Sequence, residues 1–256
     1  MKYNFHTHTI RCGHASGTDE EYVISAIDNR FKILGFSDHC PYYKLSFPIQ
    51  RMEWKEYKKY LKSIDKLKKK YQKKIKIYAG FECEYFSNHL EQLKELKKHC
   101  DYLILGQHHY LKDNDCYNYS SLEELDLLLK DIHNAFESGL FLYFAHPDYY
   151  LLNRPIWDDI AINLAHEICK LSLKYDMPLE INAKGFRLNR YHKNIVYYPY
   201  PKFWEIVANY GCKVCIGFDA HTPNDLSDNI IEIKKYVFQY KLNLITTEEI
   251  LKRIES

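Results

Sequence analysis

No apolar run in the chain approaches the ~18 residues that a membrane-spanning helix needs. Its opening, Met-Lys-Tyr-Asn-Phe-His, enters a β-rich segment directly, without the apolar stretch and small-residue cleavage site of a secretory leader. Cytoplasmic residence with no membrane partner is the expectation. A disulfide framework is missing too: the eight cysteines, at 12, 40, 83, 100, 116, 169, 212 and 215, are scattered and read as reduced thiols. Cys212-Lys-Val-Cys215 has the spacing of a zinc or redox dithiol, but no second pair completes a zinc knuckle. Charge of one sign is scarce. The net charge is only +2, so no global field points to nucleic acid. One segment, 55–76, is crowded with lysine, yet Tyr57, Leu61, Ile64, Leu67 and Tyr71 recur in it at helical spacing. That pattern describes an amphipathic helix with a solvated basic face, and few aromatics interleave on that face as a nucleic-acid surface would require. No Pro/Gly/Ser linker, internal repeat or low-complexity stretch divides the chain, so residues 1–256 are expected to form a single domain.

What is present is alternation. β-rich runs fall at 3–8, 33–37, 76–84, 102–106, 140–146, 179–182 and 213–218, separated by helical patterns at 19–29, 53–71, 89–99, 121–138, 157–175 and 201–209. Two more helical patterns, 228–240 and 247–254, follow the last run. Strands alternating with helices predict an α/β fold with a parallel sheet and helical crossovers.

The polar residues cluster at the ends of those strands. His6 and His8 close the first, and Asp219 and His221 follow the last; residues two apart on a strand face one side, so each pair can aim two ligand atoms at one point. Between them come Asp38-His39, Glu82 with Glu84, His108-His109 and His146. In parallel barrels the C-terminal strand ends form the active face, so these groups converge on one mouth. Gly13 permits a tight turn that folds His14 back over it. The remaining histidines (89, 99, 108, 133, 166 and 192) lie on helical patterns, in a loop or beside a better-placed partner. A set rich in imidazole and carboxylate with no obvious thiolate suits Zn²⁺, Mn²⁺ or Fe²⁺ rather than a closed structural zinc. Nine candidate ligands exceed the needs of one ion, so two or three divalent ions are implied. Ions ~3.5–4 Å apart are the usual machinery of phosphoester hydrolysis.

Taken in order, His6-Thr-His8, His14, Gly35-Phe-Ser-Asp38-His39-Cys-Pro41, Gly80-Phe-Glu82, Leu105-Gly-Gln-His-His109, Ala145-His146-Pro-Asp148 and Phe218-Asp219-Ala-His221-Thr-Pro223 form a series that resembles the PHP (polymerase and histidinol phosphatase) superfamily. Within it, the series is most similar to the monofunctional histidinol-phosphate phosphatases. The resemblance implies a distorted (β/α)7 TIM-like barrel with a trinuclear site at the C-terminal ends of its strands. It places His6, His8, Glu82 and Asp219 on a first metal, Glu82, His109 and His146 on a second, and His14, His39 and His221 on a third. His109 is preferred to His108 because it takes the place of the histidine in the family's Gly-x-x-His pattern.

The implied activity is hydrolysis of a small phosphate ester, L-histidinol phosphate, in histidine biosynthesis, by attack of a metal-bridging hydroxide. Glu82, Asp219 and His221 are the ligands expected to serve the chemistry, and His39, Arg187 and Arg190 to meet the substrate. Only seven arginines exist, and Arg187 and Arg190 follow the strand 179–182, where a guanidinium suits phosphate. Lys184 departs from the family, which often carries a small hydroxyl residue there. Asp148 and His192 are candidate proton donors to the leaving alcohol. The alternatives are a PHP phosphoesterase acting on another small ester or a nucleotide, and a non-catalytic metal-binding PHP module. An amidohydrolase barrel also opens with His-x-His, but leans on a modified lysine. A monomer or homodimer is expected.

Overall fold

The computed structural model describes residues 2–191, 198–227 and 230–255. Its strands are β1 (Tyr3–Asn4), β2 (Ile33–His39), β3 (Lys76–Cys83), β4 (Tyr102–Leu105), β5 (His109–Lys112), β6 (Asp115–Asn118), β7 (Leu179–Asn182), β8 (Lys213–Gly217) and β9 (Asn243–Leu244). The helices are α1 (Asp19–Asp28), α2 (Tyr57–Tyr71), α3 (Leu90–Lys97), α4 (Leu122–Glu137), α5 (Tyr150–Asn153), α6 (Asp159–Lys174), α7 (Ala183–Tyr191), α8 (Pro201–Tyr210), α9 (Ile230–Gln239) and α10 (Thr247–Glu255). Local chemistry sets many of these boundaries. Thr18 with Glu21 and Ser121 with Glu124 form reciprocal capping boxes that start α1 and α4, while Pro201 opens α8 and left-handed Gly211 closes it.

The chain is an α/β fold whose parallel sheet curls. Strands β1-β2-β3-β4 pair in order, and β7, β8 and β9 pair in a second run, all parallel. Single-residue parallel bridges connect the two runs: Leu105 to Phe144, Phe144 to Leu179, and Thr7 to Ala220. At the last of these, the His8 N–H donates to Ala220 O at 2.9 Å, and the Phe218 N–H donates to Asn4 Oδ1, 214 positions away in sequence, also at 2.9 Å. β2 is buried along its whole length, as expected of a parallel strand covered on both faces. Phe5, Ile33, Tyr78, Tyr102, Ile104, Tyr143 and Cys215 form one apolar cluster, and the inward faces of the helices pack in a larger one.

Three elements differ from expectation. The run 140–146 is reduced to the bridge at Phe144, because the backbone turns sharply at His146, a non-glycine residue with φ of 32°. The segment after residue 108 forms an antiparallel hairpin, β5-β6, turned on Asp113 and Asn114 with φ of 52° and 72°. The stretch after β7, which falls outside the helical patterns of the sequence, is helix α7. No described helix is long and apolar enough to cross a membrane.

Candidate metal centre

The strand ends deliver the predicted side chains to one place. His6 Nε2 and His8 Nε2 lie 3.2 Å apart, and His8 Nε2 is 3.1 Å from Asp219 Oδ1 and 3.4 Å from Glu82 Oε2. Glu82 sits at the centre: its Oε1 is 2.8 Å from His146 Nε2 and its Oε2 is 3.0 Å from His39 Nδ1. Toward solvent, the His221 ring stacks between His8 and exposed His14, with centroids at 4.2 and 4.8 Å. Several overlapping groups of ligand atoms are each compact enough for an ion, among them His6, His8 and Glu82; His6, His146 and Asp219; Glu82, His108 and His146; His14, His39 and His221; and His8, Cys12 and His221, which brings in a thiol that the sequence did not single out.

The residues present fit a metal. His39 Nδ1 and Asp219 Oδ1 are buried polar atoms without a hydrogen-bond partner, although each lies near an opposite group, and His8 Nδ1, on the far edge of its ring, is likewise unpaired 3.8 Å from Asp38 Oδ1. Lone pairs aimed at a shared point rather than at one another are what a ligand set requires. Burial alone would lower the pKa of His6, yet the carboxylates of Glu180, Asp219 and Glu82 outweigh it and raise it to about 10. Burial pushes the His39 imidazole well below its usual value, and neighbouring His8 adds to the effect. Burial would raise Glu82 and Asp219, but the surrounding cations and imidazoles hold both well below the carboxylate range. Negative charge concentrated out of water in this way is a site for a cation.

Backbone geometry supports the arrangement. Asp219 has φ of 45°, so both it and His146 hold their side chains from a left-handed conformation that non-glycine residues seldom adopt. Arg187 braces the first of these turns, its Nη2 donating to the carbonyls of Phe218 and Asp219, each at 3.0 Å.

Two expectations meet a different geometry. His108 comes nearest Glu82 and His146, while His109, the expected ligand, also lines the cleft, its Nδ1 3.1 Å from Glu84 Oε1 and its ring packed on Phe47. The two residues straddle the start of β5, and both turn Nδ1 toward Glu84 Oε1, at 3.3 Å for His108 and 3.1 Å for His109. The expected substrate arginines are also elsewhere. Arg187 lies behind the ligand loop, and Arg190 pairs with Glu232 at 2.5 Å on the surface. Asp148 is buried and its Oδ2 accepts from the Tyr200 N–H at 2.6 Å and the Trp204 indole at 3.0 Å, a bracing role; burial raises its pKa to about 6. His192 lies outside the described residues.

Sequence reasoning missed Glu180. Fully buried on β7, it sits 2.8 Å from His6 Nδ1 and accepts from the His146 N–H and from Asn182 Nδ2. A Cβ at Gly217 on the next strand would collide with its carboxylate, so glycine is what admits it. The signal was a carboxylate within the otherwise apolar strand Leu179-Glu180-Ile181. Arg51, Tyr149, Lys184 and Tyr198 also line the cleft over the ligands.

Residues 4–184 match the family model for the PHP domain, most of the chain. The chain is a PHP-domain protein. Over 249 residues this PHP protein is 25% identical to a Deinococcus radiodurans protein named "Probable histidinol-phosphatase", covering 91% of each. A Schizosaccharomyces pombe protein of the same name is 25% identical over 276 residues, 93% of this chain and 86% of its own. The solved histidinol phosphate phosphatase of Lactococcus lactis, complexed with Zn, L-histidinol and phosphate, superposes with a TM-score of 0.72 at 17% identity, covering 95% of each chain. That superposition bears on the fold of the PHP chain.

Proposed function

We propose that this protein is a metal-dependent phosphomonoesterase that hydrolyses L-histidinol phosphate to L-histidinol and phosphate. The observation that carries the reading is the convergence of His6, His8, His39, Glu82, His108, His146, Asp219 and His221 on one cleft in a PHP-family chain. The relatives' names supply the substrate. In this reading residues 1–256 form one domain, and the bridges at Phe144 and Thr7 close a seven-stave barrel with the metals at its C-terminal mouth.

Two or three divalent ions, Zn, Mn or Fe, are held by His6, His8, Glu82 and Asp219; by Glu82, His108 and His146; and by His14, His39 and His221. Bound there, such ions supply an activated water at neutral pH and neutralise the phosphoryl oxygens. The protein's own share is positional. Glu82 spans two ligand groups, Glu180 fixes the His6 ring, and Arg187 holds the turn that presents Asp219 and His221. All eight cysteines are free thiols, which supports a reducing, cytoplasmic setting for a monomer or homodimer.

Metal analysis coupled to a phosphatase screen tests the reading. At least two metals per chain and turnover of histidinol phosphate with Mn²⁺, Zn²⁺ or Fe²⁺ are expected, with His6→Ala and Asp219→Ala inactive. Fewer than two metals, or no hydrolysis under any of these ions, overturns it.

A further inference from the structure

Two cations line the cleft among the described residues, Arg51 and Lys184. Arg51 is committed: its guanidinium donates to both oxygens of Glu84 at 2.9 and 3.3 Å and to Cys40 O at 3.2 Å, and lies over the Phe47 ring. Its side chain is only 7% exposed, and removing it would strand a buried carboxylate. Lys184 is held differently. It stands in the first turn of α7, its N–H anchored by Asn182 Oδ1 at 2.9 Å, and a third of its side chain is exposed. Its ammonium reaches to 3.4 Å from His221 Nε2 and 3.6 Å from Asp219 Oδ2.

We propose that Lys184 binds the phosphoryl group of the substrate, giving its ammonium to a non-bridging oxygen. The inference rests on the phosphomonoesterase reading of the site. Once His221 Nε2 engages a cation its lone pair no longer serves the ammonium, which keeps only the 3.6 Å approach to Asp219 Oδ2 and is left to meet an anionic oxygen entering the cleft. Lysine suits the position because it is a compact charge on a flexible stem, able to swing a short way from its present partners. The assignment also accounts for Arg187 and Arg190, whose guanidinium groups contact the ligand loop and the surface.

Lys184→Met and Lys184→Arg should be compared with wild type for metal content, kinetics with histidinol phosphate, and calorimetric binding of inorganic phosphate to metal-loaded protein. Lys184→Met is expected to keep its metals, raise KM and the phosphate Kd by tenfold or more, and lower kcat less; Lys184→Arg should recover most of the phosphate affinity. Unchanged phosphate affinity with intact metals overturns the proposal. So does loss of metal, which would make Lys184 a support of the ligand cluster, and so does a fall in kcat alone. Absence of turnover in wild type would count against the functional reading instead, because phosphate binding is measured without it.

Discussion

Glu180 Oε1 lies 2.8 Å from His6 Nδ1, and neither side chain is exposed to solvent. A carboxylate behind a ligating imidazole fixes the ring and raises its basicity. Glu180→Gln keeps the shape and removes the charge, so metal affinity should fall roughly 10–100-fold while the circular dichroism spectrum is unchanged. Competition with a chelator measures it, and wild-type affinity would show that this carboxylate does not tune the ligand.

His108 and His109 should separate cleanly. His108→Ala should remove one metal equivalent and lower kcat/KM by more than about 100-fold, beyond the usual effect of an outer partner. His109→Ala should retain every metal and lose on the order of tenfold, through Glu84. Plasma mass spectrometry on both variants decides; loss of an ion from His109→Ala alone would restore the alignment-based choice.

Gly217→Ala should be destabilising by about 1–3 kcal/mol, the usual cost of overpacking, because its methyl lands on the Glu180 carboxylate. Combining it with Glu180→Ala should recover part of that loss. A double-mutant cycle by denaturant titration should give a coupling above about 0.5 kcal/mol, and strict additivity would argue against the contact.

Away from the site, burial raises the Asp131 carboxyl to about 6, with the Tyr119 hydroxyl donating to it at 2.8 Å. A folded-state value above the unfolded one means that stability is fully present below about pH 4 and is lost as pH rises through 6. Asp131→Asn keeps an acceptor and cannot ionise. It should match wild type near pH 4 and exceed it by about 1–2 kcal/mol at pH 8, after discounting for partial exposure. Parallel stability curves across that range would refute the assignment.

Most of the candidate ligand cluster was legible in the sequence because strand ends in an alternating α/β chain share one face. His6, His8, His39, Glu82, His146, Asp219 and His221 could therefore be read from position alone. Residues 108 and 109 could not be ranked so, since both line the cleft and both reach Glu84, and only the nearer approach of His108 to Glu82 and His146 separates them. Helix α7 was hidden by Gly185, a poor helix former retained because a Cβ there would meet the Tyr198 carbonyl; the capping Asn182 was the countervailing sign. The roles of Arg187 and Arg190 depended on that helix, because its path carries both guanidinium groups away from the cleft. Glu180 was missed because a carboxylate inside a strand reveals its partner only when the first strand is laid across from it.

The Thr7–Ala220 bridge brings two pairs of ligands together from opposite ends of the polypeptide. An ion shared by His6, His8 and Asp219 would therefore act as a clasp on a ring comprising nearly the whole chain. A link across so long a loop removes much of the freedom of the unfolded state. The same chelation proposed for the chemistry would thus fasten the seam between the two runs of the sheet, and both ends of the protein should become vulnerable to proteolysis together when the clasp is opened.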